Sequence, residues 1–219
     1  MSSNPWFSWD YVQTNWDDIS ARLVEHTTLT IEAVVIGFVI ALPLAALAAN
    51  VRWLSGAIIG TASVLYTIPS LALFAILAPI LGIGRTPVLV GVVVYALLVM
   101  IRNTVAGLAG VDPDVVDAAR GLGYGRARLF WTVEMPNALP GVITGLRLAT
   151  VSTVALVTVG VVVGYGGLGQ LMFRGFQTFY RAEIVTATLL CVLLALVLDL
   201  LLWALGRAMQ PWLRTRSVA

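Results

Sequence analysis

The chain has 219 residues, 59% hydrophobic and only 11% charged, with a formal net charge of +2. Soluble domains carry roughly 25% charged residues, so this much apolar surface excludes a single water-exposed core and points to an all-α integral membrane protein. The small charge excludes a nucleic-acid binder, and every basic side chain is an arginine.

Residues 1–27 read as an external N-terminal segment. Trp6, Phe7, Trp9, Tyr11 and Trp16 suit anchoring at the headgroup level, and no basic residue precedes Asp18, unlike the positive start of a signal peptide. Five stretches then approach the ~20 apolar residues of a spanning helix: 28–49, 56–83, 87–109, 140–163 and 184–205. They make a transmembrane domain over 28–208 that contains a charged loop at 111–137, and a tail follows at 209–219. The third stretch is the weakest, because Arg102 and Asn103 lie where its last turns should meet water.

Arginine placement sets the orientation. With the N-terminus outside, Arg52, Arg102, Arg120, Arg126, Arg128, Arg207, Arg214 and Arg216 face the cytoplasm. Arg22, Arg85, Arg174 and Arg181 face outward, so the C-terminus and the 111–137 loop are cytoplasmic.

Pro43 interrupts the first stretch, and Pro69 and Pro79 the second. Around "YTIPSLALF", Tyr66, Pro69 and Ser70 mark either a pathway-lining bend or a packing kink. Gly37, Gly56, Gly60, Gly141 and Gly145 are expected to let helices approach closely. His26 reads as interfacial at the outer edge of the first stretch, and Glu32 either snorkels or faces a pathway. Cys191 reads as a buried, inert thiol.

The charged loop has the marks of structure. Asp112 is placed to cap a helix, Pro113 suits its first position, and Asp114 and Asp117 favour its positive end. Val115, Val116, Ala118, Ala119 and Leu122 give an apolar side, and Gly121 and Gly123 end the helix. "YGRARLFWTVEM" follows as a second short helix with Leu129, Phe130 and Val133 on one side. Pro136 and Pro140 are expected to break the chain before the fourth span.

Gly164 to Gly169 cannot sustain a helix, and a short re-entrant turn carrying Phe173, Phe176, Phe179 and Tyr180 is expected after it. Arg147 lies about two turns past Pro140 and Asp199 about two turns before Arg207, so their depths match. Unpaired charges in hydrocarbon are costly, and these two are expected to pair as a structural tie. No phosphate-binding loop and no metal-ligand spacing is present in the sequence.

The loop resembles the EAA loop of ABC-importer permeases. Its pattern appears as Asp117-Ala118-Ala119, three residues, Gly123, nine residues, then Val133-Glu134-Met135-Pro136. Asp stands for the usual Glu, Val for Ile and Met for Leu. The resemblance implies the methionine-permease-like fold and a coupling helix seated in a groove of a cytoplasmic ATPase. Asp117, Ala118 and Ala119 would touch the ATPase, Gly123 would set the turn, and Val133, Met135 and Pro136 would complete the motif. Arg120, Arg126 and Arg128 would bind either the ATPase or anionic headgroups.

The resemblance also implies a multi-pass protein of the bacterial cytoplasmic membrane that is not itself an enzyme. The chain would bind no cofactor, ATP and Mg residing on the ATPase. Its partners would be an ATPase dimer, a second permease, an extracytoplasmic substrate-binding protein and lipid. "YTIPSLALFAIL" and "VGYGGLGQLMFRGF" resemble the osmoprotectant permeases for glycine betaine, carnitine and choline. Tyr66, Pro69, Ser70, Tyr165, Phe173 and Phe176 would then line or gate the pathway. A quaternary ammonium there would gain cation–π attraction of roughly 0.5–2 kcal/mol per ring; an interfacial aromatic belt is the other reading. Alternatives are a methionine or other amino-acid importer permease and an ATPase-independent secondary transporter.

Overall fold

The computed structural model describes residues 4–211, which are almost entirely helical and contain no strand. The tail beyond 211, with Arg214 and Arg216, lies outside the described residues.

Helix α1 (Trp9–Thr14) starts where Ser8 Oγ accepts the Tyr11 N–H at 3.1 Å. Helix α2 (Trp16–Asn50) runs unbroken for 35 residues, through the boundary expected at 27/28. Its length is about 52 Å at 1.5 Å per residue, well beyond a ~30 Å hydrocarbon core.

The second apolar stretch is not one straight span. It is divided into α3 (Arg52–Thr67) and α4 (Ser70–Leu81), bent by 96°. Pro69 drives Ile68 out of the helical region, to φ −65° and ψ 125°. The freed Ile68 carbonyl accepts a hydrogen bond from the Tyr95 hydroxyl. Pro43 and Pro79, by contrast, sit inside continuous helices.

Helix α5 (Arg85–Ala109) continues past Ile101, through the polar pair that made its end look weak. Arg102 Nη2 donates to Ser63 Oγ on α3 at 3.0 Å, and Asn103 Nδ2 donates to the Val99 carbonyl at 2.8 Å. Both polar side chains therefore have partners within the bundle.

Helix α6 (Pro113–Gly121) and α7 (Arg126–Leu129) follow. Contrary to expectation, Pro136 and Pro140 break nothing. A π-helical turn (Phe130–Glu134) joins α7 to α8 (Met135–Val159), and the path stays helical from Arg126 to Val163 through a 3₁₀ turn at Gly160–Val163. The π turn shifts the hydrogen-bond ladder just ahead of Pro136, which falls in the first turn of α8, where a missing N–H is tolerated.

The expected re-entrant turn is instead a regular helix, α9 (Leu168–Thr178), before the last span, α10 (Arg181–Met209). Among the described residues, four helical paths are long and apolar enough to cross a membrane, and α3 with α4 makes a fifth if taken as one broken span.

Helix α5 is the most buried of the long helices, and it packs on α2, α3, α4 and α8. Its approach to α8 is backbone on backbone. A Cβ on Gly107 would lie 2.7 Å from the Ala138 carbonyl oxygen, and one on Gly141 would lie 2.7 Å from the Gly107 Cα. Gly145 comes equally close, to the Asn103 Cβ, whereas Gly37 meets Ala96 only at ordinary van der Waals distance and Gly56 and Gly60 face open space. Close approach was expected at all of them; α3, which carries the last two, turns that face outward.

The core gathers around Ala41, Ala45, Ala96, Met100 and Ile101 at one level and Leu29, Phe74, Val88, Val92 and Val157 at another. In lipid such packing, rather than escape from water, holds helices together.

Candidate coupling segment and the opposite cap

At one end of the bundle stands α6. Asp112 Oδ1 accepts the Asp114 N–H at 2.9 Å and Pro113 takes the first turn. At the other terminus Tyr124 N–H reaches the Ala119 carbonyl at 3.2 Å and Gly123 N–H the Arg120 carbonyl at 2.9 Å. This is a Schellman motif, and Gly123 occupies its left-handed position at φ +81°.

Successive residues of a helix point about 100° apart, which divides the Asp-Ala-Ala triplet. Ala119 is buried against the bundle, while Asp117 and Ala118 point outward. Asp117 Oδ1 pairs with Arg120 Nη1 at 3.2 Å, their side chains 72% and 61% exposed. Beside them Val115 and Leu122, assigned to the apolar side of the helix, are exposed rather than packed, Leu122 at 78%. The outer face of α6 is thus apolar and charged together, and uncovered. Val133, Glu134, Met135 and Pro136 are half-buried where the π turn enters α8, and α6 packs on that turn. The Arg128 guanidinium lies 4.1 Å from the centre of the Tyr124 ring.

The opposite end is closed by α1, the start of α2, and α9. Arg174 on α9 donates to Asp18 on α2 at 2.8 Å and to Glu183 on α10 at 2.6 Å. Arg22 lies 3.4 Å from Asp18 and 2.8 Å from Glu25. The Tyr11 hydroxyl is buried beside these charges without a well-aligned hydrogen bond of its own. Burial first, and then the Glu183 carboxylate, push its pKa up from 10.0 to about 12.

Glu25 Oε1 accepts the Gly167 N–H at 3.1 Å, and His26 Nδ1 accepts the Leu168 N–H at 3.3 Å. These two residues of α2 cap the start of α9. His26 is therefore fully buried rather than interfacial, its Nε2 lying 3.0 Å from the Val154 carbonyl. Glu32 is paired with Arg85. The sequence pattern held no sign of the Arg174 and His26 connections, because their partners lie 142 and 156 residues apart for His26–Leu168 and Arg174–Asp18 respectively.

The structure brings Arg147 and Asp199 together in a two-pronged pair, Nε–Oδ1 at 2.8 Å and Nη2–Oδ2 at 2.7 Å. The pathway candidates do not form one group. Tyr66, Pro69 and Ser70 stand at the α3–α4 bend, where the Tyr66 ring meets Tyr95 edge-on at 5.5 Å. Tyr165 packs against the core around Leu29, Phe74 and Val88, while Phe173 and Phe176 are exposed on α9. Helix α9 packs on α2, α8 and α10, and α3 on α2 and α5.

Residues 33–215 match the family described as binding-protein-dependent transport system inner membrane component. The chain belongs to that family. This transport component is 35% identical to the osmoprotectant import permease protein OsmW of Salmonella typhimurium, over 92% of this chain and 96% of that protein. It is 31% identical to the choline transport system permease protein OpuBB of Bacillus subtilis, over 92% and 93% of the two chains. Its fold superposes on the inward-facing MetNI methionine ABC transporter with a TM-score of 0.79, at 23% identity and over 87% and 95% of the chains. The protein is a multi-pass membrane permease of the ABC-importer class.

Proposed function

We propose that this permease forms, with a second permease chain, the pathway of an ATP-driven importer of a quaternary-ammonium osmoprotectant such as glycine betaine, carnitine or choline. Its seat is the bacterial cytoplasmic membrane, with α6 on the cytoplasmic side. ATP and Mg belong to a separate ATPase dimer, and a binding protein delivers substrate at the end closed by α9.

The observation that carries this reading is the outer face of α6. A capped helix, fixed at Gly123 by its left-handed turn, presents Asp117, Ala118, Val115 and Leu122 uncovered. Exposed apolar residues rimmed by charge mark a protein contact. Ala119 and the half-buried Val133-Met135-Pro136 run tie that face to α8, so a push on α6 moves a spanning helix as one body. Asp117 reaches one methylene less far than the family's Glu and would meet its ATPase partner at shorter range. The osmoprotectant assignment is supported by relatives that align with this chain nearly end to end.

Co-purification with a candidate ATPase and binding protein tests both parts. The ABC reading expects a stable complex whose ATP hydrolysis responds to the loaded binding protein. Transport without any ATPase would sink it. Tight betaine or choline binding by the binding protein supports the substrate class, and methionine binding would overturn that part alone.

A further inference from the structure

A cleft of about 1140 Å³ lies between the last turns of α2 and the segment that follows α6. Ordinary small-molecule pockets are about 300–1,000 Å³. Leu42, Leu47, Leu129 and Phe130 contribute apolar wall, and Arg120 and Arg126 contribute its cations. Glu134 is the acid in that lining, and Arg126 makes no ion pair among the described residues.

The surroundings set the depth of this cleft. Trp131 lines it and is 61% exposed, and Trp53, three residues past the end of α2, is 77% exposed. Tryptophans left uncovered at the ends of spanning helices sit at the headgroup level. The cleft therefore opens at the boundary between lipid and water, with hydrocarbon-like wall on α2 and arginines on the α6–α7 side. Only an amphipathic ligand satisfies both: an anionic head for Arg126 and Arg120, and an alkyl chain for Leu42 and Leu47. Asp117 and Leu122, on the face of α6 offered for the ATPase, are not part of this lining; Arg120, paired with Asp117, stands at the border of the two, and Arg126 belongs to the cleft.

We propose that this cleft is a binding site for an anionic phospholipid of the leaflet that faces α6. The lipid bridges α2 to the segment that carries the coupling motif, so the anionic content of that leaflet bears on how firmly α7 and the π turn are held. The site rests on the membrane reading and not on the substrate class.

Native mass spectrometry of the purified full-length protein in detergent tests it, with phosphatidylglycerol and phosphatidylcholine of matched chains as probes. Phosphatidylglycerol should be retained at least fivefold better than phosphatidylcholine. Arg126→Gln should lower that retention about fivefold, the effect of one arginine at an anionic surface. Arg126→Lys should restore most of it, and Glu134→Gln, which removes a like charge, should raise it. Arg181→Gln, at the opposite end of the bundle, should change nothing. Equal retention of the two lipids, or equal losses in Arg126→Gln and Arg181→Gln, would overturn the site. So would displacement of the lipid by millimolar inorganic phosphate, which would make it a free-anion site. Expulsion of the lipid when the ATPase complex assembles would assign the cleft to the partner protein and equally overturn it.

Discussion

His26 on α2 accepts a hydrogen bond from the backbone N–H of Leu168, at the start of α9, across 142 residues of sequence. Its other ring nitrogen faces the Val154 carbonyl at 3.0 Å. One nitrogen must accept and the other donate, so the geometry calls for the neutral ring protonated on Nε2. His26→Leu would strand both buried backbone groups, at about 1–3 kcal/mol each. The melting temperature of the purified chain should fall clearly, and His26→Gln should fall less. An unchanged melt in His26→Leu would show that the bonds hold nothing.

The neighbouring Gly167 is tested by contrast. It sits at φ +52°, and an added Cβ would lie 2.6 Å from the His26 Cβ. Gly167→Ala should therefore lower stability or yield, while Gly56→Ala, which meets nothing within 4 Å in the interior of α3, should be neutral or favourable by about 0.5–1 kcal/mol. Equal yields and melts for the two variants would contradict the packing described here.

For Arg147 and Asp199 the expectation is non-additivity. Arg147→Leu and Asp199→Leu alone each leave a charge without its partner, whereas the double variant leaves none. Removing one partner of such a pair is worse than removing both. A double-mutant cycle on detergent stability should show coupling of about 1–3 kcal/mol. Additive losses would deny the tie.

At the coupling segment, folding and function should separate. Gly123 is at φ +81° with open space around it, so Gly123→Val strains the turn by about 1–2 kcal/mol without a clash. The variant should insert and melt nearly normally, yet lose most stimulation of the partner ATPase by binding protein in proteoliposomes. Gly121→Ala, also in open space but helical, should keep it. Full stimulation in Gly123→Val would remove the turn from the mechanism.

The α9 end makes a pH prediction. Tyr11 is held protonated, its folded pKa at about 12 against 10.0 when exposed. A raised pKa means that the unfolded state releases its proton first. Stability from this group is then complete below pH 10 and lost as pH rises towards 12. Tyr11→Phe should flatten that alkaline decline in a melting series, and an unchanged slope would show that Tyr11 does not contribute to it.

Much of this protein is written locally. The cap at Asp112, the turn at Gly123 and the spacing to Pro136 are contacts between near neighbours, so residue type and order suffice to read them. The bend at Pro69 was visible as a proline, but its 96° angle was not, because it depends on Tyr95 of a different helix taking the freed Ile68 carbonyl. Pro136 misled for the related reason that a π turn just ahead of it absorbs what a regular helix cannot, whereas Pro140 sits inside the continuous α8 as Pro43 does inside α2.

The sequence by itself determined an apolar helical membrane protein with one structured, charged loop, since composition and short-range spacing carry that information. Only the tertiary structure decided that Glu25 and His26 cap α9, that Arg174 joins three helices, and that Ala119 turns inward while Asp117, paired with Arg120, stays exposed. Hydrogen bonds are short and directional. When their two ends lie more than a hundred residues apart, the packing of whole helices decides which ends meet.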